Sequence, residues 1–331
     1  MTAGTGDSVL YATTSDGWRI ALSRYLARGA PRRFPVVLCH GLSSNRLTWD
    51  LAPEVSLARR LALRGFDVFC LELRGHGLSD RPGWFNGKSF GWTLADYLEK
   101  DVPAALELVR QDTGAAQAHF VGHSMGGIIL LSRLSRDGEA GIRSGTTIGS
   151  SLDYSYSKSW FKAVLPFKWA GSLVPALPFG LFAKLAAPFA PLGLGSPLAK
   201  FNFEPSNIDG RTCRTFMQEG VHDVSTGVLL QLATAFDPGG LKSASGTPYL
   251  PGLARVSAPV LFIAADRDRQ CPPDAARATY EACGSKGKRF VLFGTDANGG
   301  RPYGHVDLVV GRHAPAEVHP VIEDWLLEHD A

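Results

Sequence analysis

The chain has 331 residues, 45% of them hydrophobic and 20% charged, which is enough apolar material to bury a large core and too much for a disordered chain. Its formal charge is only +3, with Lys and Arg spread rather than blocked, so it carries no electrostatic footprint for a nucleic-acid partner. The five cysteines, Cys39, Cys70, Cys213, Cys271 and Cys283, are scattered without a Cys-x-x-Cys spacing, which argues for small buried side chains over a disulfide framework or a metal site.

Met1 to Leu10 has neither a basic start nor an apolar stretch, so no signal peptide is expected and a reducing cytoplasm is the expected setting. Val9 to Tyr25 alternates polar and apolar residues around Ser15-Asp16-Gly17, the pattern of an antiparallel hairpin at a sheet edge. The grammar then changes. Val36-Val37-Leu38-Cys39 and Val68-Phe69-Cys70-Leu71 are short continuous apolar runs separated by a helical stretch from Val55 to Arg64 that stops at Gly65, which predicts buried parallel strands in an α/β fold. Thr93 to Arg110 reads as a helix with Thr93 and Asp96 as a capping box and a bend at Pro103.

Ala118-His119-Phe120-Val121 is a further strand, and it runs into Gly122-His123-Ser124-Met125-Gly126, with the helix-like Ile128 to Leu134 behind it. Gly-x-Ser-x-Gly between strand and helix is a nucleophile elbow: small flanking glycines let the helix pack close while the serine hydroxyl stands clear. Arg143 to Gly149 gives another strand, and the α/β rhythm then breaks off until Pro259-Val260-Leu261-Phe262-Ile263.

The expected division is therefore a core of residues 1–150 and 252–331 with an insertion of residues 151–251. That insertion is rich in Trp, Phe, Leu and Pro, including Trp160, Phe161, Phe167, Trp169, Phe179, Phe182 and Phe189. Lys162, Lys168 and Lys184 with Pro175 and Pro178 interrupt it, so it reads as a mainly helical cap over an apolar cavity and not as a membrane span, while contact with a lipid interface stays open. The remainder predicts a helix from Pro273 to Cys283, a strand from Arg289 to Phe293 and a last helix striped by Val318, Ile322 and Trp325.

A serine hydroxyl needs a base to take its proton and a carboxylate to orient that base. His305 competes with eight other histidines. His123 adjoins the serine with its ring expected to point away, His313, His319 and His329 read as solvated, His76 and His119 as structural, and His222 as the insertion's candidate for facing the cavity. Of two backbone donors needed for a developing oxyanion, Met125, directly after the serine, supplies one. Arg74-Gly75-His76-Gly77-Leu78-Ser79-Asp80 lacks the third glycine and the following helix of a dinucleotide loop.

With these residues in view, the chain resembles the α/β-hydrolase superfamily: a mostly parallel, doubly wound sheet with an inserted cap. The resemblance implies the chain order nucleophile, acid, histidine, hence Ser124, Asp268 and His305 as the catalytic set, because Asp268-Arg269-Gln270-Cys271-Pro272 looks like the segment in which the acid precedes a helix-opening proline. Asp266 is the rival acid and Asp153 a third candidate. His40-Gly41-Leu42 matches the family's oxyanion loop and offers the Leu42 amide as second donor.

Asp96 to Ala104 and Gly304 to Gly311 look like segments of the acid lipase group, although Met125 stands where those lipases carry glutamine. The implied activity is serine-dependent hydrolysis of small-molecule esters with lipophilic acyl groups, without cofactor or metal. Acyl transfer or carbon–carbon bond hydrolysis would use the same groups, and a non-catalytic small-ligand receptor on this fold is the alternative from another class.

Overall fold

Continuous apolar runs become strands buried on both faces, and their order in the sheet decides which loops meet. The computed structural model describes residues 6–83, 85–139, 141–163, 165–167 and 173–331, so Lys168 and Trp169 of the insertion lie outside the described residues. Eleven strands occur among the described residues. Nine form one mixed sheet: β1 (Ser8–Thr13), β2 (Arg19–Tyr25), β3 (Val36–Cys39), β4 (Val68–Glu72), β5 (Ala118–His123), β6 (Ile142–Ile148), β9 (Val260–Ala265), β10 (Arg289–Gly294) and β11 (Asn298–Gly299). The strand order is β1-β2-β4-β3-β5-β6-β9-β10-β11. β1 and β2 form the expected antiparallel hairpin at the edge, β2 pairs antiparallel with β4, and the pairs from β4 onward are parallel. Cys39 and Cys70 are fully buried in β3 and β4.

Helices cover both faces, giving two apolar clusters. One gathers Phe69, Phe120, Ile129 and Phe262, and the other Trp49, Val121, Ile263 and Trp325. The stretch read as one helix from Thr93 divides into Leu94–Asp96, a π turn at Tyr97–Asp101 and an α-helix from Val102 to Thr113. The physical reason is Pro103. It has no N–H to give to the preceding turn, and the wider π turn, with Val102 N–H bonded to the Tyr97 carbonyl, absorbs that gap. His319, expected in solvent, is instead buried in the last helix (Ala314–Glu328), where its Nε2 lies 3.0 Å from the Val309 carbonyl.

Between β6 and β9 the chain leaves the sheet. It forms helices Phe179–Ala186, Gly210–Glu219 and Thr226–Ala233, several shorter turns and a two-stranded pair of β7 (Ala176–Leu177) and β8 (Val224–Ser225). Among the described residues no helix is long and apolar enough to cross a membrane.

A close backbone approach joins the helix Met125–Asp137 to the end of β3. A Cβ on Gly126 would lie 2.2 Å from the Cys39 carbonyl oxygen and 2.8 Å from that of His40, both backbone atoms that cannot swing aside. Gly126→Ala is therefore expected to destabilise the protein by about 1–3 kcal/mol through overpacking. A thermal unfolding midpoint equal to that of the parent chain would show that this contact is not limiting.

Candidate active site

β5 ends at His123, and the helix beginning at Met125 starts on the next residue but one, so Ser124 alone makes the turn. Its backbone sits at φ 53°, ψ −119°, a conformation that L-residues rarely adopt and that costs about 1–3 kcal/mol unless the surroundings impose it. They do. Ser124 N–H donates to the Ile148 carbonyl at 2.8 Å, and its own carbonyl accepts from Gly127 and Ile128 N–H, each at 3.0 Å, and from Ser150 Oγ at 2.9 Å. The side chain is thereby turned away from the sheet, onto the wall of a cavity of about 560 Å³.

His305 lines the same cavity. Its Nδ1 donates to Asp268 Oδ2 at 2.6 Å, which assigns the ring proton to Nδ1 and leaves Nε2 as the basic atom. Nε2 is buried and has no hydrogen-bond partner among the described residues. Asp268, in the loop after β9, is held by Gln270 and Cys271 N–H, both 2.8 Å from Oδ1. Gly149 has φ +59°, and a Cβ there would come within 3.1 Å of both Asp268 Oδ2 and the His305 ring, so the carboxylate and imidazole approach bare backbone.

The two other acids are occupied elsewhere. Asp266 accepts from Thr295 and Tyr303 N–H at 3.1 and 3.0 Å and so braces the loop that leads to His305. Asp153 closes a local turn with Ser155.

Two of the residues that line the cavity with Ser124, namely Met125 and Leu42, carry backbone amides that matter here. Met125 is the first residue of its helix, so its N–H has no intrahelical acceptor. Leu42 lines the cavity together with Ser124, Met125 and His305. The Leu42 amide is aimed through its own peptide plane: His40 Nδ1 donates to the Gly41 carbonyl at 2.8 Å and Ser44 N–H adds a bond at 3.2 Å, so the N–H of the same planar unit faces the opposite way. His40 Nε2 in turn accepts from Leu73 N–H at 3.2 Å, which fixes the tautomer.

Three supporting residues were not legible as such in the sequence. The His123 ring does not point away: it packs against the His305 ring at 4.8 Å between centroids, and its Nε2 donates to the His305 carbonyl at 3.1 Å. Burial, then proximity to His305, pushes the His123 imidazole down to about 3, so it stays neutral beside the active ring. Asp307 binds Gly304 N–H at 3.0 Å, Glu204 N–H at 2.9 Å and Asn207 Nδ2 at 2.9 Å, tying the His305 loop to the segment between β6 and β9.

The third is His222, which does not line the cavity. Its Nε2 accepts from Asn45 Nδ2 at 2.9 Å and Gly77 N–H at 3.3 Å, and its own N–H donates to the Ser43 carbonyl at 2.7 Å. It clamps the loop after β3, a position spent on structure because two donors already fill its lone pair.

The other cavity walls are mostly apolar: Ile128 from the helix behind Ser124, and Tyr154, Phe161, Phe179, Leu229 and Phe236 from the segment between β6 and β9. Arg74 pairs with Asp101 at 2.6 Å and Asp16 at 2.7 Å, which makes its loop an ion-paired turn. Among the described residues no group of three or more His, Cys, Asp or Glu side chains is placed to hold a metal ion.

A family model described as the alpha/beta hydrolase family matches residues 36–318. The chain belongs to the alpha/beta hydrolase family. The chain is also 33% identical over 135 residues to the tear acid lipase-like protein of Mesocricetus auratus, covering 38% of this chain and 33% of that one. It is 30% identical over 122 residues to the gastric triacylglycerol lipase of Homo sapiens, covering 34% of this chain and 31% of that one. The chain thus spans about a third of the length of the curated relatives it matches.

Solved structures share the fold. An esterase from Thermogutta terrifontis superposes with a TM-score of 0.63 at 17% identity, covering 98% of this chain and 100% of that one. A monoacylglycerol lipase from Paleococcus ferrophilus superposes with a TM-score of 0.63 at 18% identity, covering 93% and 99%. The hydrolase is related to esterases and lipases.

The site's electrostatics carry a consequence for pH. Burial holds His40 and His119 below their ordinary value, His76 and His319 at about 4, and His123 and His222 at about 3. Each of these six histidines is neutral in the folded chain and protonates more readily unfolded, so each withdraws stability as pH falls below about 6.5. Burial raises Asp101 and Asp307 to about 6, and these two oppose the trend between about 6 and 4. Six groups against two predict a net loss of stability between pH 6.5 and 4, and a flat or rising unfolding midpoint across that interval would contradict it.

Proposed function

We propose that the protein is a cofactor-independent serine hydrolase of carboxylic esters with lipophilic acyl groups. The observation that carries this is an imidazole whose Nδ1 is held by Asp268 and whose Nε2 is unpartnered, lining the same apolar cavity as a serine at a helix N-terminus. In this reading His305 Nε2 takes the Ser124 hydroxyl proton as Oγ bonds to the acyl carbon. The Met125 and Leu42 amides receive the oxyanion of the tetrahedral intermediate, and the imidazolium returns the proton to the leaving alcohol oxygen. The acyl group then rests on Ser124. Water, deprotonated by the same Nε2, releases the acid and restores the hydroxyl.

His40 supports the reading by fixing the Gly41–Leu42 peptide before any substrate arrives, which spares reorganisation at the moment charge develops. The neutral state of His123 supports it too, since a second cation 4.8 Å from the His305 ring would oppose formation of the imidazolium. Residues 151–251 serve in this reading as a cap, because their aromatic and aliphatic side chains complete a cavity that has few polar groups to offer an acyl chain.

Ser124→Ala is expected to retain the folded thermal midpoint and lose at least about a thousandfold in turnover of a chromogenic short-chain ester. A fluorophosphonate should label the parent chain and not the variant, and labelling of both would refute the assignment. The apolar walls further predict that acyl chains of medium or greater length are preferred to acetate in kcat/KM. A series that peaks at acetate would overturn the lipophilic part of the proposal and leave the hydrolytic part standing.

A further inference from the structure

The helix Phe179–Ala186, the turn Ala187–Phe189 and the short helix Ala190–Gly193 follow one another without a break. One face of this run is buried, through Gly180, Ala187 and Ala190, and packs on the helix Gly210–Glu219. The other is apolar and faces water: Leu181, Phe182, Leu185, Phe189 and Leu192 are 55, 61, 64, 66 and 88% exposed. Positions 182, 185, 189 and 192 recur at helical spacing, so these side chains make one stripe and not scattered single exposures.

Charge selects what covers the stripe. The sequence from Tyr154 to Phe203 holds five lysines, Lys158, Lys162, Lys168, Lys184 and Lys200, with no Asp, Glu or Arg. Lys184 lies on the same helix beside the stripe and Lys200 on the next helix, both exposed. A twofold contact between copies would set each lysine-bearing stripe against its own repeat, bringing like charges together as the apolar groups meet. A bilayer bearing anionic phospholipid satisfies both features, with its acyl boundary taking the apolar side chains and its headgroups the ammonium groups.

We propose that this stripe seats the protein on an anionic phospholipid bilayer surface. Phe179, in the first turn of the same helix, lines the cavity that holds Ser124, so the docked face and the cavity are built on one element. The docking is independent of the chemistry proposed for Ser124, and its test separates the two.

The full chain is sedimented with vesicles of phosphatidylcholine alone and of phosphatidylcholine mixed with phosphatidylglycerol. Binding to the mixed vesicles is expected to exceed that to the neutral ones by about tenfold or more, each lysine near an anionic surface being worth roughly fivefold, and to weaken with added salt. The double variant Phe182→Asp, Leu185→Asp is expected to lose at least about tenfold in binding while its turnover of a soluble short-chain ester and its unfolding midpoint stay at the parent values. No sedimentation with the mixed vesicles, or equal binding by parent and variant, would overturn the proposal. A parent dimer that the double variant dissociates would overturn it in favour of self-association. Loss of vesicle binding in the parent assay alongside intact fluorophosphonate labelling would leave the hydrolase reading untouched, and the converse result would sink only that reading.

Discussion

A single residue in a backbone conformation it would not choose organises this molecule. Ser124 occupies positive φ between a strand and a helix, and four hydrogen bonds to its N–H and carbonyl hold it there. The turn can be this sharp only because the helix behind it lies against the β3 terminus at a separation that leaves no room for a Cβ on Gly126. The same approach brings the loop after β3 over the helix N-terminus. The strain at one position and the close packing of two elements are thus one geometric fact seen from two sides.

Around that turn, neutral histidines do the positioning. His40 fixes the peptide that carries the Leu42 amide, His123 holds the His305 backbone, and His222 clamps the loop that follows Leu42. Each uses a defined tautomer, and burial keeps each from protonating near neutrality. An imidazole suits this work because a ring nitrogen can donate or accept according to its tautomer. Among the described residues that line the cavity, His305 is the histidine left with an unspent lone pair.

The segment between β6 and β9 touches this arrangement through polar ties as well as apolar walls. Asp307 joins the His305 loop to Glu204 and Asn207, Gln270 donates to Asn202 Oδ1 at 3.0 Å beside the Asp268 loop, and His222 reaches the loop after β3. Its far side leaves an apolar stripe in water, where packing has no partner to offer within the chain. Inner and outer faces therefore present different chemistry, as proposed to a lipophilic chain within and to a charged interface without.

The amino-acid sequence by itself determined the strand succession, the edge hairpin and the strand-to-helix turn at Ser124, because alternation, continuous apolar runs and Gly-x-Ser-x-Gly are local patterns whose period or sterics fix a local conformation. The resemblance it carries to the α/β-hydrolase superfamily narrowed the candidate acid and base to a few residues. Only the tertiary structure decided that Asp268 meets His305 while Asp266 braces a loop, since both follow the same strand and differ by the loop's path. The same holds for His123, His222 and His319: a histidine's role depends on which backbone groups reach its two nitrogens, and those come from segments far apart in the chain. Pro103 was legible as a disruption, but the π turn at Tyr97–Asp101 that precedes it was not, because the local pattern of apolar residues is the same for an α and a π turn.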